Sequence, residues 1–314
     1  MNQAASNTAG HNTASHTARN STYRTMEVPV RGGTLHTALW GPEDPAAPTI
    51  LAVHGVTASH KAWPKLAEAL PDVRIIAPDL RGRGLSNSLP APYGMPSHAE
   101  DLAAVLAALS TGPVVVVGHS MGAFVSVVLA NLFPQRVRSL VLVDGGLPLQ
   151  VPADLSDEQI VAAVLGPAAE RLNAVFPSRE AYRSYWKQHP AFSGDWSPLV
   201  EDYVDYDLTG EEPVLRPATR YQAMADDTAE LRRGPSLLKA LDELAVETLV
   251  LRAPRGLLDE PGGLYAPGYL DAWAGKLPAL TVREVPDVNH YTIIMGAAGA
   301  AAVADTVREA LAVA

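Results

Sequence analysis

Pro113-Val-Val-Val-Val-Gly-His-Ser-Met-Gly-Ala-Phe124 is the stretch that decides the fold. The β-branched run Val114 to Val117 reads as a buried strand, and it passes at once through Gly118-His119-Ser120-Met121-Gly122 into a helix-forming segment. A strand-to-helix turn this sharp forces its apical residue into strained backbone angles. It also leaves no room for side chains two positions either side. Glycine at 118 and 122 meets that demand, and the strain lifts the Ser120 hydroxyl clear of the sheet. The five-residue pattern is weak alone; its place between a four-valine strand and a helix makes Ser120 a candidate nucleophile.

Outward from this point, strand and helix signals alternate. Met26 to Val30 and Thr34 to Trp40 flank Arg31-Gly32-Gly33, a hairpin signal. Further strands are expected at Thr49 to His54, Val73 to Ala77, Ser139 to Val143, Thr248 to Leu251 and Leu280 to Val285. Helices are expected over Trp63 to Leu70, from a Ser97 cap to about Leu109, near Pro267 to Lys276 and from about Ala297 to Val313. This order implies an α/β fold with a mostly parallel central sheet flanked by helices. From about Pro148 to Gly234 the alternation stops. Seven of the 19 aromatic residues fall between Tyr182 and Tyr206, which predicts a helical cap over 148–234 set into a core of 23–147 and 235–314. One or two of those rings, Trp186 and Trp196 among them, are candidates to face a substrate.

The 314 residues are 47% hydrophobic and 18% charged, enough apolar material for a substantial core. Cysteine is absent, so disulfides and thiolate metal sites are excluded. A formal charge of −10 argues against nucleic acid as a partner. No apolar run reaches transmembrane length, and residues 1–22 lack the apolar segment of a secretory signal. A disordered tail and a cytoplasmic location without membrane association are therefore expected. His11 and His16 in that tail read as solvated rather than as metal ligands.

A serine hydroxyl becomes a useful nucleophile when a base takes its proton. In the serine, acid, histidine order that accompanies a strand–serine–helix elbow, the base lies near the C-terminus, and His290 is the only histidine beyond His189. The base needs an anion to hold its tautomer. Asp259, in the loop after Thr248 to Leu251, is the expected acid; Asp144, directly after Ser139 to Val143, is the rival, with Glu260 and Asp287 behind both. Backbone donors for an oxyanion are expected from the N–H groups of Met121 and Val56, with neighbouring His54 bracing the loop. No metal or organic cofactor is expected.

His54-Gly55, Asp79-Leu-Arg-Gly-Arg-Gly-Leu-Ser86, Gly118-His-Ser-Met-Gly122, Asp259 and Asn289-His290 stand in an order that resembles the α/β-hydrolase superfamily from about Met26 onward. Arg81 and Arg83 belong to its common loop. The lipase-type Gly-Gly-Gly signature is absent, and serine stands where haloalkane dehalogenases and epoxide hydrolases carry aspartate. The resemblance thus implies an acyl-enzyme and a small-molecule ester substrate. The segment Arg252-Ala-Pro-Arg-Gly-Leu-Leu-Asp-Glu260 is similar to actinobacterial monoalkyl phthalate hydrolases. That likeness implies that Arg252 or Arg255 clamps the carboxylate of a half-ester. Carbon–carbon bond hydrolysis or cofactor-free perhydrolysis could use the same triad, and a non-catalytic binding protein on this fold is the alternative from another class.

Overall fold

Along β5 (Val114–His119), Val114 and Val116 join one buried apolar cluster while Val115 and Val117 join the other. This two-residue alternation belongs to a strand covered on both faces. The computed structural model describes residues 22–150 and 168–313, with 154, 156, 159 and 166 between them. The expected tail lies outside the described residues except for Thr22, whose hydroxyl donates to the Gly41 carbonyl at 2.7 Å.

The main sheet also contains β1 (Arg24–Val30), β2 (Gly33–Trp40), β3 (Thr49–Val53), β4 (Arg74–Pro78), β6 (Val137–Val143), β9 (Thr248–Arg252) and β10 (Leu280–Glu284). Its order is β1-β2-β4-β3-β5-β6-β9-β10. The β1–β2 hairpin turns through Arg31-Gly32, and β2 pairs antiparallel with β4; every later pairing is parallel. One face carries α2 (Met95–Ala108) and α3 (Met121–Leu132), and the other carries α1 (Pro64–Ala69) and α10 (Ala297–Ala312). In a parallel sheet of this kind the loops leaving the carboxyl ends of the strands gather at one edge. Ser120, Asp144 and His290 follow β5, β6 and β10 there.

The expected strands all form, within two residues at each end. One helix start is corrected. The N-terminus of α2 is Met95, with Pro96 in the first turn, and Ser97 lies inside it rather than capping it. The first amides are met instead from a distant helix, α6 (Tyr221–Arg233): Gly94 N–H donates to Asp227 at 2.6 Å and Met95 N–H to Glu230 at 2.9 Å. Between β6 and β9 the described residues include α4 (Arg179–Lys187), α5 (Pro198–Tyr206) and α6. They also include a two-stranded hairpin, β7 (Leu208–Glu211) with β8 (Val214–Pro217), absent from the expectation. Among the described residues no helix is long and apolar enough to cross a membrane.

Candidate active site

Ser120 sits between β5 and α3 with φ 53° and ψ −126°, a conformation that costs an L-residue energy and persists only where the surroundings impose it. Those surroundings are glycines. A Cβ on Gly122 would lie 2.1 Å from the Val53 carbonyl oxygen, and one on Gly145 would lie 2.2 Å from that of Ser120. The Ser120 amide donates to the Val143 carbonyl at 3.0 Å, tying the apex to the end of β6.

His290 and Ser120 line the same cleft. His290 is buried, and its Nδ1 donates to Asp144 Oδ2 at 2.6 Å. The other carboxylate oxygen of Asp144 accepts from Ala253 N–H at 3.1 Å, so the acid is held at both oxygens and fully shielded from solvent. With Nδ1 committed to a carboxylate, Nε2 of the neutral ring is the basic nitrogen.

The expected acid is corrected by this geometry. Asp259 accepts from Arg255 Nε at 2.7 Å and from Asn289 Nδ2 at 2.9 Å, while the carboxylate on His290 is that of Asp144. The reason is strand order: β6 lies between β5 and β9, so an acid at the end of β6 is one strand nearer the serine. Asp259 instead lies seven residues beyond Arg252 in the loop after β9.

Val56 lines the cleft beside Ser120, and Met121 opens α3. Neither backbone N–H has an acceptor among the described residues. His54 braces this loop, as expected. Its Nδ1–H donates to the Gly55 carbonyl at 2.8 Å, and its Nε2 accepts from Leu80 N–H at 2.9 Å. Burial lowers its pKa to about 4, so the ring is neutral.

The loop is also held from behind by Arg83, which donates to the Val56 carbonyl at 2.9 Å and pairs with buried Asp227 of α6 at 2.6 Å. Burial pushes Asp227 up, but the charges of His98 and Arg83 outweigh it and bring its pKa down to about 2. Sequence reasoning placed Arg83 in a family loop without this task. Its partner lies 144 positions away, beyond the reach of any local pattern.

The arginine clamp is corrected as well. Arg252 is buried and engaged by Glu284 and by the carbonyls of Tyr265 and Gly262; Arg255 holds Asp259 and the Asp287 carbonyl. Neither lines the cleft, nor do Trp186 and Trp196. Trp186 is packed among Tyr182, Phe192, Tyr203 and Tyr291, while Trp196 lies under Lys187 Nζ.

His119, immediately before the serine, donates from Nε2 to the His290 carbonyl at 2.8 Å, a contact missed in the sequence. Burial holds its pKa well below the ordinary histidine value.

His36, His60 and Asp79 present ligand atoms within 4.8 Å of one another, away from the cleft. Asp79 already accepts from His60, Leu85 and Tyr206, and both ring nitrogens of His60 are bonded, to Asp79 and Tyr23. His60 and Asp79 are therefore satisfied without an ion.

The cleft has two lobes meeting at Ser120, His290, Val56 and Leu257. One is bordered by Gly55, Thr57, His119, Tyr203 and Tyr291. The other is walled by Phe124, Leu149, Leu231 and Leu264.

The family model described as "alpha/beta hydrolase fold" matches residues 48–195. The chain is 44% identical to lipase LipV of Mycobacterium tuberculosis over 115 residues, 37% of this chain and 43% of that protein, so this match spans less than half of the relative. It is 28% identical to the 2-(acetamidomethylene)succinate hydrolase of Mesorhizobium japonicum over 257 residues, 79% of this chain and 84% of that one. Among solved structures, an E-2-(acetamidomethylene)succinate hydrolase superposes with a TM-score of 0.73 at 24% identity, covering 92% of this chain and 97% of that one. The thioesterase domain from the curacin biosynthetic pathway gives 0.71 at 20% identity, covering 92% and 99%. The sheet order, the strained serine after β5 and these likenesses agree on one architecture: the chain has the α/β-hydrolase fold.

Proposed function

We propose that the protein is a serine hydrolase that cleaves carboxylic esters through an acyl-enzyme. Ser120 attacks the carbonyl carbon, and His290 takes its proton and returns it to the leaving alcohol. Asp144 fixes the ring and stabilises the imidazolium. The N–H groups of Val56 and Met121 receive the developing oxyanion, each contributing about 3 kcal/mol of transition-state stabilisation. Water, deprotonated by His290, then releases the acid. The observation that carries this reading is the buried 2.6 Å bond from His290 to Asp144 beside a strained serine in the same cleft. A fluorophosphonate probe should label the wild-type protein at Ser120 and leave Ser120→Ala unlabelled, with hydrolysis of p-nitrophenyl butyrate lost in parallel. Full turnover by Ser120→Ala would refute the assignment. The described part of the segment between β6 and β9 contributes Ala168, Tyr203 and Leu231 to the cleft walls, which supports reading that segment as a cap.

The apolar second lobe favours a neutral ester with an aliphatic arm. A second reading is an anionic substrate such as a monoalkyl phthalate, with Arg171 as the nearby cation, although it too stands outside the cleft lining. Arg171 is buried one helical turn from cleft-lining Ala168. Its Nη1 meets Asp207 and Tyr182, whereas its Nη2 has no partner among the described residues. The relative named for a succinate derivative is consistent with that reading. Hydrolysis of a phthalate monoester against its diester separates the two: preference for the diester supports the neutral reading, and preference for the monoester supports the anionic one.

A further inference from the structure

Asp259 stands in the loop where sequence order led us to expect the acid, yet His290 is bonded to Asp144. We propose that Asp259 is a positioning residue, acting through Asn289 to fix the backbone on which His290 is carried. The inference rests on the triad reading above and assigns a task to a carboxylate that the triad does not use.

Asn289 is buried, and every polar group it has is satisfied. Its Nδ2 donates to Asp259 Oδ1 at 2.9 Å and to the Ala191 carbonyl at 3.0 Å. Its Oδ1 accepts from the N–H groups of Tyr291 at 3.0 Å and Thr292 at 2.9 Å, at the start of the short helix α9 (Thr292–Met295). Its own N–H donates to Thr292 Oγ1 at 2.8 Å, returning the cap. Rotating the amide by half a turn would set its oxygen against a carboxylate and a carbonyl, so the network fixes its orientation.

Asp259 is the anionic anchor of this arrangement. Its Oδ1 also takes Arg255 Nε at 2.7 Å, and Arg255 Nη2 reaches the Asp287 carbonyl at 3.1 Å, just ahead of Asn289. His290 therefore lies between neighbours that are both pinned, while Asp144 holds its ring and His119 its carbonyl. The two carboxylates do different work: Asp144 supplies charge to the imidazole, and Asp259 supplies a hydrogen-bond acceptor to an amide. Ala191 belongs to the segment between β6 and β9, so the same asparagine also ties that segment to the base.

The two tasks respond differently to substitution. An asparagine at 259 keeps an acceptor for Asn289 and loses the charge; an alanine loses both. Asp259→Ala should lower kcat for p-nitrophenyl butyrate about 10- to 100-fold, the size of effect expected when a reacting group is displaced by a fraction of an ångström, with KM little changed. Asp259→Asn should recover most of that loss, and Asn289→Ala should reproduce it. The pH at which activity falls on the acid side should stay where the wild type has it. Hydrogen exchange of the peptide carrying Asn289 to Thr292 reads the same network without chemistry: it should quicken in Asp259→Ala and Asn289→Ala and be restored in Asp259→Asn. Wild-type kcat and exchange in Asp259→Ala would overturn the inference. So would an Asp259→Asn variant as impaired as Asp259→Ala, which would make the charge the operative property. If exchange responds as stated but the wild-type protein neither hydrolyses esters nor takes the fluorophosphonate, the triad reading fails and the positioning role stands.

Discussion

In the proposed mechanism the buried carboxylate of Asp144 decides how His290 acts. A neutral amide at 144 would offer its oxygen or its NH₂ group to Nδ1 and could hold the wrong tautomer, with no charge to stabilise the imidazolium. Asp144→Asn should therefore reduce kcat about 10³- to 10⁴-fold while leaving the fold intact by circular dichroism. Asp259→Asn should cost far less in the same assay; the reverse ranking would return the acid to Asp259. That Ser120 and His290 come to one cleft could be expected from the sequence because the signal for each is local: a glycine-flanked apex in one case, the last histidine after the last strand in the other. The choice between two aspartates was not legible, because both lie in loops that follow strands and both adopt positive φ. What separates them is which strand lies beside β5, a fact of sheet order. The arginine clamp failed for a related reason. Arg252 meets Glu284 across 32 positions, and nothing local reveals that a guanidinium is already engaged.

At the scale of elements, the elbow depends on backbone contact that only glycine permits. A Cβ at 122 would meet the Val53 and His54 carbonyl oxygens at 2.1 and 2.6 Å, so β3 and α3 would have to separate. Overpacking of this kind costs roughly 1–3 kcal/mol or more. Gly122→Ala should accordingly lower Tm by about 5–10 °C and impair activity, since the displaced loop carries Val56. Calorimetry checks this, and an unchanged Tm would show that the contact relaxes freely. The main-sheet strands were legible because valine runs and two-residue alternation mark them. The β7–β8 hairpin was not: most of its residues are exposed, and Leu208-Thr-Gly-Glu211 carries no apolar face to betray a strand. The start of α2 was missed because its capping partners, Asp227 and Glu230, come from α6.

The molecule as a whole carries several histidines held neutral by burial, and this gives its stability a pH dependence of definite sign. His54 and His189 have pKa values lowered from 6.5 to about 4, and His119 is also lowered. Below pH 6.5 the unfolded chain binds protons that the folded chain excludes, so stability is fully present above 6.5 and falls as pH drops toward 4. For fully buried His54 the whole loss is about 3 kcal/mol. Tm should therefore fall by roughly 10 °C between pH 7.5 and pH 5, with proton uptake on unfolding detectable by calorimetry in buffers of different ionisation enthalpy. A flat Tm over that range would contradict the buried neutral state of these rings. The architecture at this scale was readable from the alternation of strands and helices; the closure of the cleft from two lobes was not, because its walls come from segments more than a hundred residues apart. The account as a whole depends on a covalent bond at one oxygen. Acid-quenched mass spectrometry of the protein during turnover of p-nitrophenyl butyrate tests it most directly. A butyryl adduct on the peptide containing Ser120, accumulating further in Asp144→Asn if deacylation becomes the slower step, is the result predicted. Sustained hydrolysis with that peptide unmodified would contradict it.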